Sequence, residues 1–181
     1  MNSTEADRPF AAAEDKFQLR FRPPRKADGP ALHALVAQCP PLDLNSIYLY
    51  LLLAEHFPQT CVLAEDAQGI VGMVSAYLPS GRSRVLFVWQ VAVHPRIRGQ
   101  GIGGRMLRQL LLRRVLRRVR WVETTVGPKN QASRRLFARL ADRLAAPLVE
   151  LPLFEAALFG AGAHEAEPLL RIGPISLSAV K

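Results

Sequence analysis

Phe87-Val-Trp-Gln-Val-Ala-Val-His-Pro-Arg-Ile-Arg-Gly-Gln-Gly-Ile-Gly-Gly-Arg-Met-Leu-Arg-Gln-Leu-Leu-Leu112 is the stretch whose reading decides the fold. The apolar run Phe87 to Val93 has the composition of a buried strand, and His94-Pro95 cuts it off. A turn with glycines at 99, 101, 103 and 104 then leads into a segment carrying Met106, Leu107, Leu110 and Leu111 at helical spacing. Strand, loop and helix in that order make an anion site, because the first turn of a helix has unpaired N–H groups and the positive end of the macrodipole. Glycine lets that backbone adopt φ > 0 and come close to a phosphate. A Walker loop is excluded, since no Gly-Lys-Ser/Thr follows. Gly99, Gly101 and Gly104 match the dinucleotide spacing, yet Ala67 to Val122 contains no Asp or Glu to hold a ribose.

Outward from this stretch the chain reads as a single α/β (α+β) domain over residues 17–175, with tails at 1–16 and 176–181. Phe17, Leu19 and Phe21 alternate as a half-buried strand does, and Pro23-Pro24 ends it. Asp28 is placed to cap a helix from Gly29 to about Gln38. A loop rich in Pro, Asp, Asn and Ser leads to an apolar helix from Ile47 to Glu55. Thr60 to Glu65, Ile70 to Tyr77 and Val85 to Val93 form an antiparallel meander. A helix from Ile102 to about Val119, a strand over Trp121 to Val126 and a helix from Asn130 to about Leu140 follow. The strands at 85–93 and 121–126, joined by a helix, are expected to be parallel neighbours.

Composition narrows the function classes. An apolar content of 49% supplies a core for 181 residues, and no apolar run is long enough for a membrane helix. Met1 to Lys16 lack the apolar segment of a signal peptide and read as a disordered tail. Cys39 and Cys61 have neither metal spacing nor a disulfide framework, so no metal is expected and the cytoplasm is the default. The net charge of +9 is concentrated in the eleven arginines between Ala67 and Val122, a block that encloses the glycine turn and suits a polyanionic cofactor. A basic nucleic-acid-binding module is the alternative from another class, but the block has few aromatics and no recognition-helix pattern.

Four side chains stand out beside the loop. Glu123 is the only acid on the two central strands, and desolvation in the run Trp121 to Thr125 suits a proton-accepting carboxylate, whereas on a solvated edge it would be unremarkable. Asp43 and Tyr48 lie where loop meets helix, and spacing alone gives them capping and packing roles. Trp89 is a strand residue that fits core and site equally well.

Arg98-Gly99-Gln100-Gly101-Ile102-Gly103 after the strand end resembles the pyrophosphate-binding motif of the GNAT N-acetyltransferases. Asn130-Gln131-Ala132-Ser133-Arg134-Arg135-Leu136-Phe137 is similar to their second motif. The resemblance implies acetyl-CoA as co-substrate, held by Arg98, Gly99, Gln100, Gly101, Ile102, Gly103, Gly104 and Asn130. It also implies a bulged strand that places Val91, Ala92 and Val93 near the thioester. Many members end the second motif with a tyrosine that protonates the departing thiolate; here Phe137 stands there, so no acid is assigned.

Over residues 17 to 175 the chain further resembles the L-2,4-diaminobutyrate acetyltransferases of ectoine synthesis. The matching pieces are Arg22-Pro23-Pro24, Cys39 to Tyr48, His56-Phe57, Phe87 to Pro95, Glu123-Thr124-Thr125, Asn130 to Ser133 and Leu170 to Pro174. That resemblance implies acetyl transfer to the 4-amino group of L-2,4-diaminobutyrate by a homodimer, with Glu123 as base, directly or through water. Asp43, Tyr48, Trp89 and His164 are the implied substrate-binding residues, with His164 and Glu167 placed to close over the site. Ornithine, lysine or a polyamine remains an alternative amine. The loop between Ala141 and Phe159 departs from the subfamily pattern.

Overall fold

Strands β1 (Arg20–Arg22), β2 (Val62–Asp66), β3 (Gly69–Tyr77), β4 (Val85–Val93), β5 (Trp121–Thr125), β6 (Leu148–Phe154) and β7 (Glu167–Ile172) form one sheet in the order β1-β2-β3-β4-β5-β7-β6. They come from a computed structural model that describes residues 18–160 and 165–176. Only β4 and β5 run parallel, so the meander and the parallel pair read from the sequence are both present. Helices α1 (Gly29–Ala37) and α2 (Ile47–His56) cover one face of the sheet; α3 (Ile102–Leu111) and α4 (Gln131–Arg143) cover the other.

The two faces follow from strand alternation. Leu86 and Val88 of β4 pack with Met106, Leu107, Leu110, Phe137 and Leu140 on the α3–α4 side. Without interruption Gln90 and Ala92 would join them. Instead Ser75 pairs with Gln90 and Ala76 with Val88, so Trp89 is an extra residue and β4 bulges there. The inserted residue exchanges the faces. Val91 and Val93 now turn to the α3–α4 side, and Ala92 packs with Leu32, Leu35 and Met73 on the α1–α2 side.

Four expectations need correction. α3 ends at Leu111, not near Val119. Continued helical periodicity from Leu107, Leu110 and Leu111 would carry Arg114 and Arg118 onto the core face. The chain breaks instead, a 3-10 turn at Arg114–Leu116 returns Leu116 and Val119 to the core, and Arg113 Nη1 donates to the carbonyls of Pro58, Gln59 and Cys61 at 2.9, 2.9 and 2.7 Å. Asp28 precedes α1 but makes no side-chain cap. Its carboxylate accepts from Arg22 Nη1 and Nη2 at 2.7 and 2.9 Å and from the Arg25 N–H at 2.7 Å, because a charged bidentate partner outcompetes a helix N–H. The first strand is only Arg20–Arg22, and Phe17 lies outside the described residues. Strand β6 falls within the segment read as a loop; Pro152 sits in it because β6 is an edge strand and its register slips between Leu151 and Phe154. The expected helix from Asn130 is α4, which starts one residue later at Gln131; Asn130 caps it, accepting from the Ser133 N–H at 3.1 Å.

Candidate active site

β4 and β5 pair only through Val85 with Trp121, Leu86 with Val122 and Phe87 with Glu123. Beyond that last rung β4 continues beside β3, while β5 pairs with β7, so the centre of the sheet splits open. The bulge lies just above the split. There the Gln90 N–H donates to Ser75 Oγ at 3.2 Å, and Trp89 is left 38% exposed.

On the α3–α4 side the split opens into a cleft of about 390 Å³. Val91, Val93, Arg98, Gly99, Gly101, Ile102, Gly103, Gly104 and Asn130 all line it. Gly99 and Gly101 have φ of 78° and 72°, the left-handed region that favours glycine, and Gly101 is the residue before α3. A Cβ on Gly103 would stand 3.3 Å from Leu136 and 3.5 Å from Val91, so a bare backbone seats α3 against α4. The α3 N-terminus and Arg135, Arg139 and Arg143 along the opposite wall make the cleft a receptor for a polyanion. Arg98 is already engaged, donating to the Val93 carbonyl at 2.9 Å and the Gln38 carbonyl at 3.3 Å, and so ties the end of β4 to the end of α1. Gln100 is exposed and outside the lining, and the Ala92 side chain faces the other side of the sheet. Phe137 is buried in the α3–α4 core, where it offers no proton.

The other described candidates, Glu123, Asp43 and Tyr48, lie on the α1–α2 side of the sheet. Glu123 is 1% exposed, but this lone acid of β5 is not unpaired. Its Oε1 accepts from Arg82 Nη2 at 2.5 Å and from Arg171 Nε at 2.8 Å. A buried carboxylate without a partner is costly, and the fold supplies two guanidiniums from the β3–β4 loop and from β7. Thr125, two residues further along β5, donates to Glu167 Oε2 at 2.6 Å. Asp43 is exposed; its backbone carbonyl accepts from Gln90 Nε2 at 2.9 Å, which fastens the α1–α2 loop over the bulge. Tyr48 at the start of α2 is 67% exposed. His164 lies outside the described residues. No cluster of three or more His, Cys, Asp or Glu suited to a metal occurs among the described residues.

Arg82, Arg171 and Gln90 did not stand out in the sequence. Arg82 was lost among the eleven arginines, and Arg171 lies 48 residues from its partner. The alternation on β7, with Leu170 and Ile172 facing the core, was the one available signal that Arg171 turns to the other side. The assembled site can hold a polyanion on one side of the split sheet and a small charged molecule on the other, with β4 backbone between them.

The sequence profile of the acetyltransferase (GNAT) family matches residues 29–141. The L-2,4-diaminobutyric acid acetyltransferase of Bordetella parapertussis is 53% identical over 97% of this chain and 95% of that protein. That of Chromohalobacter salexigens is 46% identical over 88% and 83%. Among solved structures, the diaminobutyrate acetyltransferase EctA from Paenibacillus lautus, in complex with its substrate L-2,4-diaminobutyric acid and coenzyme A, superposes with a TM-score of 0.85 at 42% identity, covering 87% of this chain and 96% of that one.

Proposed function

The chain belongs to the acetyltransferase (GNAT) family, and we propose that it transfers acetyl from acetyl-CoA to the 4-amino group of L-2,4-diaminobutyrate, yielding N4-acetyl-L-2,4-diaminobutyrate for ectoine synthesis. The observation that carries this reading is the split beyond the Phe87–Glu123 rung, with a phosphate-type cleft on one side and a charged basin on the other.

In this reading the loop Arg98 to Gly104, with Asn130, holds the CoA pyrophosphate, and the backbone of Val91 to Val93 polarises the thioester carbonyl. The amine arrives as an ammonium and must lose a proton before it attacks. Glu123 takes that proton, directly or through water, at Oε2, the oxygen to which neither arginine donates. The nitrogen lone pair then forms the amide bond as the C–S bond breaks and CoA leaves as thiolate. Asp43, Tyr48, Trp89 and His164 orient the amine. Free, buried Cys39 and Cys61 and the use of acetyl-CoA fit a cytoplasmic enzyme. A homodimer fits the apolar residues that β6 and the turn after it leave exposed, among them Val149, Leu153, Phe154 and Leu158. Sedimentation of the pure protein as a monomer would remove that part of the reading.

Thiol release from acetyl-CoA in the presence of diaminobutyrate, ornithine, lysine and putrescine tests the assignment. Diaminobutyrate is expected to be turned over with the highest kcat/KM. Release with none of the four amines would overturn it.

A further inference from the structure

The cluster at Glu123 is not electrically balanced. One carboxylate faces two guanidiniums, and both bonds fall on the same oxygen, Oε1. Arg82 uses only Nη2 and Arg171 only Nε, so among the described residues Arg82 Nε and Nη1 and both Nη groups of Arg171 donate no hydrogen bond. The Arg171 guanidinium lies 5.8 Å from the Trp121 ring centroid, which fixes its plane. Both side chains keep access to solvent, at 46% and 35% exposure, although the carboxylate beneath them is buried. The result is a net positive forked donor at the root of the split, on the side away from the CoA cleft.

We propose that Arg82 and Arg171 bind the α-carboxylate of the amine substrate and thereby select an amino acid over a polyamine. This rests on the acetyl-transfer reading above and sharpens its substrate class. Guanidinium forks match carboxylates in shape as well as charge, and a donor with an unspent positive charge repels a substrate that is only cationic. The dimensions agree. From Phe87, opposite Glu123, to Val91 the bulged strand advances by three residues of its neighbour, Tyr77 to Val74, roughly 10 Å at about 3.3 Å per residue. An extended four-carbon diamino acid spans roughly 6 Å between its terminal atoms, and a contact of about 3 Å at each end suffices to cover that distance. With its carboxylate on the arginines, the substrate directs its far amine up the split towards Val91 to Val93, and in this pose Glu123 Oε2 takes the amine proton through water and not directly. Past the arginines on the same face, Glu167 beside Thr125 supplies the opposite sign, so the basin is polarised along the substrate.

The test compares diaminobutyrate with 1,3-diaminopropane, the same diamine without the carboxylate. The unaltered protein should prefer diaminobutyrate in kcat/KM, and Arg82→Gln and Arg171→Gln should each lower that preference by about tenfold or more, the scale set by an unpaired charged contact. Arg82→Lys should restore part of it. A parallel loss on both substrates would overturn the proposal and leave the arginines only a role in holding Glu123. Absence of turnover with every amine in the unaltered protein would instead defeat the acetyl-transfer reading itself. Should a variant not fold, the unaltered enzyme decides through inhibition: L-2-aminobutyrate is expected to compete with diaminobutyrate at least about tenfold better than its amide. Equal inhibition by the two would sink the carboxylate site.

Discussion

Gln90 donates its side-chain Nε2 to the backbone carbonyl of Asp43 at 2.9 Å, across 47 residues of sequence. The bond joins the bulge of β4 to the loop that carries Asp43 and leads to Tyr48, so the two halves of the acceptor side move as one body. Gln90 is buried, and its Oε1 has no hydrogen-bond partner among the described residues.

Gln90→Leu keeps the volume, removes the donor and also removes the orphaned acceptor. The two effects on stability oppose each other, so its change should stay within about 1 kcal/mol. Registration of the Asp43 loop should suffer more. KM for the amine is expected to rise about tenfold, with little change in KM for acetyl-CoA, whose cleft lies on the other face. Equal rises in both constants in steady-state assays would refute the coupling.

Glu123→Gln should lower kcat by about 10²-fold or more, the usual contribution of a positioned base. Binding of CoA, measured by calorimetry, should be retained because none of the cleft-lining residues touches this carboxylate. A variant with undiminished turnover across pH would leave Glu123 a purely structural anchor for Arg82 and Arg171.

The cleft half of the candidate site was legible because it is local: a strand end, glycines and a helix start lie within Val91 to Gly104, and each has its own chemical signature. Asn130 was readable for the same reason, since a cap is a relationship over three residues. The acceptor half depends on pairings across the sheet, such as Glu123 with Arg171, and on the insertion of Trp89, which exchanges the faces of Gln90 to Val93. Nothing in the order of residues 85–93 marks where one strand carries a residue more than its neighbour. The overlong α3 arose from extending helical periodicity through an arginine run whose positions 114 and 118 would have faced the core.

Gly101 is the residue before α3 and adopts φ of 72°, and apart from its chain neighbours no atom of the described residues comes within 4 Å of the place a Cβ would take. Gly101→Ala therefore meets no clash, only the backbone cost of the left-handed region, about 1–2 kcal/mol. Relief of that strain would turn the first N–H groups of α3 away from the cleft. KM for acetyl-CoA is expected to rise about tenfold, with the ranking of amines unchanged. An unaltered KM would separate the loop from pyrophosphate binding.

Acid should loosen the fold through Asp28 before it affects the core. The hydrogen-bonded Arg22 guanidinium, followed by the Arg25 N–H, holds the Asp28 carboxyl below its ordinary value of 3.8 against the opposing effect of burial. A carboxyl depressed in the folded state binds its proton more readily when unfolded. The stabilisation is therefore complete above the unfolded value and is lost as pH falls through and below 3.8. Arg22 also donates to Glu65 Oε2 at 2.7 Å, so the pair links β1, β2 and the entry to α1. Asp28→Asn should cost about 2 kcal/mol at neutral pH, the scale of a charged hydrogen bond. Below about pH 4, where unfolded Asp28 begins to take up its proton, the melting temperatures of variant and unaltered protein should converge. Melting curves that stay parallel down to pH 2 would show that Asp28 is not the group through which acid acts.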